Sequence, residues 1–327
     1  MNVFSKDNWS DSDELNKFIP VSAALSFEKV ESSLEDAIRL FVLPLFGERL
    51  TEQMVSYYTG ADTTDLQKEL LAECQRAVAN LAFWYNYTEL NIRITDQGMQ
   101  RQESEGTFKQ TYKYQEDLLR QGFKNKGFNA LDRMIEFLDK HTDAFPEYKD
   151  SPAYAYRRNA IVRSTAEVDG CCFINNSHLI FLRMKPLLKV VEETRLQPLL
   201  GTTLYLLLQE SLKKEESKLG ETTVEELRSR CAKFVIFATV ADLVRSTGSL
   251  TDRGLYFTQF LPGDGNTSVS PADKEEALAM AADMERKAQD YSAQLLRFVE
   301  NKLPEYFKGR QSQVLNRDNN HKRTVWL

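Results

Sequence analysis

The residues of this chain whose type and setting could do chemistry are two carboxylates in a repeated context. Ile94-Thr95-Asp96-Gln97-Gly98 returns downstream as Leu250-Thr251-Asp252-Arg253-Gly254. A carboxylate there could exchange a proton with a substrate, or it could accept backbone N–H groups in a turn or at a helix start while the glycine relieves the crowded backbone. Neither copy sets a recognisable acid/base or metal-binding constellation beside it, so the turn is the reading adopted. Cys74, Cys171, Cys172 and Cys231 have no zinc spacing, and His141, His178 and His321 stand apart from any ligand pattern. Cys74 and Cys231 are expected in helix cores, and Cys171-Cys172 as a free pair in a strand or turn. The chain has no glycine-rich phosphate loop followed by lysine, no HExxH and no GxSxG. The pairs Glu215-Glu216 and Glu225-Glu226 are read as the solvent faces of helices. No catalytic, cofactor-binding or metal-ligating residue is therefore assigned.

Aromatic and arginine residues offer a different chemistry, that of partner recognition. Phe83-Trp84-Tyr85-Asn86-Tyr87 closes a helical stretch, and either Tyr85 or Tyr87 could face outward from it. Tyr154-Ala155-Tyr156-Arg157-Arg158 sits near the middle of the chain, where packing between two halves competes with binding. Trp326 ends a polar, basic arm that could dock on a neighbouring subunit. Tyr85, Tyr87, Tyr154, Tyr156, Arg157, Arg158 and Trp326 are the candidate partner-binding residues.

The elements that must hold these residues are repeated along the chain. Leu43-Pro44-Leu45-Phe46-Gly47 is echoed by Gln197-Pro198-Leu199-Leu200-Gly201, and Pro146-Glu147-Tyr148 by Pro304-Glu305-Tyr306. The displacement stays near roughly 155 residues, which is what a tandem duplication with small loop insertions leaves behind. Phe27, Val30, Leu34 and Ile38 form one apolar stripe of a helix beginning near Ser26, and Phe181, Met184 and Leu188 repeat it. Each proline–glycine step predicts a kink or break. Leu66, Leu70, Cys74, Ala77, Val78, Leu81 and Trp84 predict a long helix over 64–85, matched by Leu227, Cys231, Phe234, Val235, Ala238 and Ala241. Helix is expected again from Phe108 to Arg120, interrupted at Gly122 and Gly127, and resumed from Phe128 to near His141. In the second copy a turn at 261–266 precedes helix from about Pro271.

The fold class expected is mainly α: two related helical units, residues 1–156 and 157–309, followed by a flexible tail at 310–327. A short β-hairpin over 161–174, turning at Asp169-Gly170, is expected between the units. The 327 residues carry a formal charge of −6, which argues against broad nucleic-acid binding; Arg157, Arg158 and Arg163, or Lys124 and Lys126, could form a local basic patch, but a solvated face or an ion-paired interface is the use expected of each. No apolar run is long enough to cross a bilayer and the opening residues do not read as a signal peptide, so a cytoplasmic protein without membrane contact is expected.

Phe18-Ile19-Pro20 with Ala24-Leu25-Ser26-Phe27, the Leu43–Gly47 step with its copy, and Ile94–Gly98 together give most of the chain a resemblance to proteins encoded in Bacteroidetes prophages and related mobile elements. The resemblance implies a head–tail connector or other neck component, incorporated into a phage particle. It transfers no catalytic residue. The expectation is a non-enzymatic virion structural or assembly protein without cofactor, contacting other virion or mobile-element proteins and copies of itself. An adaptor or regulatory binding module of a mobile element is the alternative, and an enzyme with a site hidden from the sequence is the third.

Overall fold

Proline cannot donate a backbone hydrogen bond, and its ring crowds the carbonyl four residues earlier. In this chain the helix widens where that carbonyl lies. The computed structural model describes residues 2–6, 13–20, 25–60, 62–95, 98–101, 112–213, 219–247, 250–251, 254–255 and 274–307. After a short helix α1 (Asp13–Asn16), helix α2 (Phe27–Ala37) passes into a π-helical turn, Ile38–Val42, and then into α3 (Leu43–Thr59). Pro44 opens α3, and Leu40, four residues back, lies within the π turn, which accommodates the ring without ending the helix. Gly47 then takes φ 75° and ψ 170°, a region essentially reserved for glycine, and bends α3.

The first unit continues with α4 (Asp65–Tyr85), α5 (Tyr87–Asn91), strands β1 (Ile92–Thr95) and β2 (Gly98–Arg101), and α6 (Lys113–Lys140). Thr64 caps α4: its hydroxyl accepts the Gln67 N–H while the Gln67 side chain accepts the Thr64 N–H. A 3-10 turn, Pro146–Asp150, leads to α7 (Pro152–Asn159), and α8 (Thr165–Asp169) follows.

The second unit repeats the plan. Helix α9 (His178–Val191) passes through a π turn, Glu192–Leu196, into α10 (Gln197–Leu200), which carries Pro198 in its first turn. Gly201, at φ 79°, separates α10 from α11 (Thr202–Lys213). Then come α12 (Glu221–Thr247), β3 (Leu250–Thr251), β4 (Gly254–Leu255), α13 (Lys274–Lys302) and α14 (Pro304–Phe307). In each unit the long helices form a pair, α4 with α6 and α12 with α13, and the helix before the π turn packs across that pair's first member. The duplication predicted from the sequence is thus a duplication of backbone path, including its two irregularities.

Each unit also closes its own core. One cluster runs from Val3 to Ala153 and includes Leu34, Phe46, Leu81 and Met134; the other runs from Ile161 to Leu303 and includes Leu188, Leu204, Leu227 and Leu295. The 156/157 division drawn from sequence falls inside α7, between these clusters. Tyr154 packs on the first and Tyr156 on the second.

Three local expectations need correction or fall elsewhere. The segment 161–174 is not a hairpin: Ser164 accepts the Glu167 N–H and starts α8, so Asp169-Gly170 ends a helical turn. The hairpins lie inside the units, where Thr95 pairs with Gly98 and Thr251 with Gly254 in antiparallel register. Asp96 and Asp252 fall between those pairs, outside the described residues, as do the tail with Trp326 and the turn at 261–266. Helix α6 runs unbroken through both glycines. A Cβ on Gly127 would stand 2.6 Å from Leu81 Cγ and 3.2 Å from the Leu81 backbone nitrogen, whereas one on Gly122 would meet nothing within 4 Å. Gly127 is where α6 presses against α4.

Gly127→Ala therefore lowers stability by about 1–3 kcal/mol through overpacking, while Gly122→Ala raises it by about 0.5–1 kcal/mol through helix propensity. Urea denaturation of the two variants checks this, and equal effects would contradict the close contact of α4 with α6.

Candidate functional site

The connector between the units gathers a dense set of charged side chains. Helix α7 packs against α3 and α6 of the first unit and against α11 of the second. From α7, Arg157 donates from Nε to Asp139 Oδ2 at 2.6 Å, and the same carboxylate accepts the Tyr148 hydroxyl on Oδ1 at 2.8 Å. Beyond α7, Arg163 Nη1 donates to Glu225 Oε2 at 3.0 Å. Arg228 is almost fully buried and donates to the Ile161 carbonyl at 2.6 Å, to Glu167 Oε1 at 2.8 Å and to Glu225 Oε1 at 2.6 Å. Glu167 Oε2 accepts the Arg163 backbone N–H. Burial of such charges is tolerable only when each is paired and its remaining hydrogen bonds are met, and these largely are.

These side chains line a cleft of about 880 Å³ between α7, α8, α11 and the start of α12. That volume lies within the usual range for ligand sites. Arg158 is the exception to the pairing. Its Nη1 donates only to the Tyr154 hydroxyl, at 3.2 Å, and its guanidinium lies 5.8 Å from the Tyr154 ring centre. The Arg157, Arg158 and Arg163 cluster is thus mainly an ion-paired junction, the use expected over a basic patch, with one arginine lacking a carboxylate among the described residues.

Of the candidate partner-binding residues, the structure brings Tyr154, Arg157 and Arg158 into the cleft. Tyr156 turns the other way: its hydroxyl donates to the Val162 carbonyl at 3.0 Å, and the Lys185 ammonium sits 3.8 Å over its ring. Burial, with the nearby Glu192 and Glu167 carboxylates, keeps that phenol from ionising in the ordinary tyrosine range. Burial also pushes the Lys185 ammonium down to about 8. Tyr85 and Tyr87 lie toward the opposite end of α6. Tyr85 is half exposed and packs its edge against Phe41, while Tyr87 is partly buried under Arg120. Trp84 joins Phe41 and Phe128 in an aromatic cluster of the first unit. Cys74 and Cys231 are buried and free, as expected; burial pushes the Cys74 thiol up to about 12. Cys171 and Cys172 are free in the turn after α8.

Two buried groups were not legible from local spacing. His178 Nδ1 lies 2.9 Å from Asp132 Oδ1 and 3.1 Å from Thr165 Oγ1, so a pair of α9 and α6 ties the units together in the interior. Burial pushes the Asp132 carboxyl up, but hydrogen bonds from His178 and Thr165 outweigh it and hold the group below its ordinary value. Glu192, in the second π turn, is 5% exposed, and burial raises its carboxyl to about 7 despite Lys189 at 3.5 Å. The first unit has Ile38 at the matching position of its π turn. Among the described residues no group of histidine, cysteine and carboxylate side chains could hold a metal ion, and no helix is long and apolar enough to cross a membrane.

The two carboxylates carry opposite pH signatures. A folded-state value held low, as at Asp132, gives stability that is present above the ordinary carboxylate range and lost as the pH falls through it. Asp132→Asn should cost about 1–3 kcal/mol at pH 7, read by denaturation, because the hydrogen bonds that the carboxylate accepts in the interior are lost. A value raised from 4.5 to about 7, as at Glu192, favours folding at low pH and loses that benefit as the pH rises through 7. The shift corresponds to roughly 3 kcal/mol, so Glu192→Gln should raise the melting temperature clearly at pH 8 and little at pH 5. A pH-independent effect would refute the assignment.

No curated protein and no solved structure matches this chain. A protein-family model matches it twice, over residues 42–158 and 196–315, both segments opening at the last residue of a π turn. These segments cover most of both units, and the chain accordingly belongs to the family described as a family of unknown function, DUF6712.

Proposed function

We propose that this chain is a non-enzymatic structural or assembly protein that works through repeated protein contacts, acting, as its prophage resemblance implies, as a connector or neck component of a virion. The observation that supports the reading is a repeated exposed helix end. Burial on α6 begins only at Phe123, although the helix starts ten residues earlier at Lys113. Leu118 is 64% exposed there, with Leu119, Tyr112 and Tyr114 also exposed and the two tyrosine rings stacked. On α13, Leu278 is 50% exposed and Met280 is exposed, and Ala281 is the first buried residue described.

Each unit therefore presents large apolar side chains at the start of the helix that follows its hairpin. Water-facing leucines at equivalent places on two related units fit contacts with neighbouring subunits, since each fully buried leucine side chain contributes about 1.5–3 kcal/mol. Two similar but unequal ends on one molecule form head-to-tail contacts, and these close into a ring where the rotation between neighbours permits. The acidic overall charge and the apolar character of these ends favour a protein neighbour over nucleic acid.

Sedimentation velocity at near-physiological salt, over a wide concentration range and with or without particle proteins, tests this. The expected result is assembly, alone or on a partner, that Leu118→Glu with Leu119→Glu, or Leu278→Glu with Met280→Glu, weakens by more than about tenfold while circular dichroism stays unchanged. A compact monomer at high concentration with no partner-dependent assembly would overturn the reading.

A further inference from the structure

The cleft between the units leaves one lining arginine, Arg158, without a carboxylate partner among the described residues. Every oxygen of Asp139, Glu167 and Glu225 already accepts: Asp139 from Tyr148 and Arg157, Glu167 from Arg228 and the Arg163 backbone, Glu225 from Arg228 and Arg163. The arginines are not used up in the same way. Arg163 keeps a buried Nε–H with no acceptor among the described residues. Arg158 spends one nitrogen on a tyrosine hydroxyl and meets no carboxylate among them. The Tyr154 hydroxyl accepts from Arg158 and so has its own proton to give. Arg158 and Tyr154 face the same space, whose apolar wall comes from Leu212 and Val224, whereas the Arg163 Nε–H is shielded from it. Burial and the adjacent Arg228 guanidinium make the charge on Arg163 harder to hold than on an ordinary arginine, although Glu225 and Glu167 oppose them.

We propose that this cleft binds an acidic segment of a partner protein, with a carboxylate of that segment taken by the Arg158 guanidinium and the Tyr154 hydroxyl. The inference rests on the assembly reading only in taking the partner to be a protein. A planar carboxylate matches the guanidinium fork, and the Tyr154 ring with the Leu212–Val224 wall accommodates the alkyl part of an entering side chain. Charge selects a carboxylate over a polyanion. Four arginines in the lining, at positions 157, 158, 163 and 228, face four acids, at 139, 167, 221 and 225. Glu221 and Glu225 are exposed and would oppose a phosphate chain. One incoming carboxylate meets the donors left over without having to displace a native pair. The cleft is also far larger than a single ion requires, which suits a segment of chain.

Fluorescence anisotropy with a rhodamine-labelled peptide of alternating glutamate and alanine tests the proposal, using the full chain. The expected result is saturable binding that is at least about tenfold weaker for the glutamine counterpart of the peptide and for Arg158→Gln, as loss of a charged hydrogen bond requires. Arg158→Lys should restore part of the affinity. Arg158 has no carboxylate partner to orphan, so Arg158→Gln should fold normally, with an unchanged melting temperature. Failure of the glutamate peptide to bind, equal binding of the two peptides, or an Arg158→Gln variant that binds like the parent would overturn the proposal. So would more effective displacement by a single-stranded oligonucleotide than by unlabelled peptide, which would assign the cleft to nucleic acid. Sedimentation of Arg158→Gln separates this outcome from that of the assembly reading, which depends on the exposed helix ends and not on the cleft.

Discussion

The architecture depends on a backbone constraint imposed twice. A proline follows a long amphipathic helix, and three residues later a glycine adopts a positive φ. The proline removes a donor and crowds the preceding turn, which answers by opening to π geometry instead of ending. The glycine then redirects the chain so that the next helix leaves at a new angle. The first helix of each unit can thereby lie across its long pair while the second turns back toward α7, so the core of each unit is framed by the same two irregularities.

On this shared frame the copies have diverged by exchanging bulk and polarity. Trp84 fills a cluster with Phe41 and Phe128 where the second unit carries Ala241; Phe234 is buried where the first unit carries Ala77. Such exchanges preserve density only when neighbours compensate, and each unit has compensated separately. The sharpest difference is Glu192 in the π turn that holds Ile38 in the first unit. It places an ionisable group beside the Tyr156 phenol and the Cys231 thiol, both of which it helps keep protonated after burial has done most of that work. The second unit has accepted an electrostatic cost that the first avoids.

Much of this was legible in the residues. The apolar period of 64–85, the Thr64 start and the paired Pro–Gly steps are local signals, and local physics reproduces them in the structure. What misled was glycine. Gly122 and Gly127 read as a break because glycine costs helix stability, but contact with Leu81 keeps α6 whole and assigns Gly127 to a close helix crossing. Asp169-Gly170 reads as a hairpin turn, yet the Ser164 cap a few residues earlier had already committed the segment to helix. The junction was the least legible part. Tyr154, Arg157 and Arg158 could be singled out by type, but Asp132 with His178, or Arg228 with Glu167, are neighbours only after the units meet. No window along the sequence contains both members of such a pair.

The Asp132–His178 contact bears on how the chain matures as it is made. The buried residues of the first unit's apolar cluster end at Ala153, with only Tyr154, Leu179 and Leu182 added from beyond it, so that unit can collapse while the rest is still being made. Asp132 reaches that stage without the His178 imidazole and the Thr165 hydroxyl, which come only with α9 and α8 and cover the carboxylate as they dock. The pair therefore closes only when the second copy begins to fold, which couples completion of one unit to the appearance of the other.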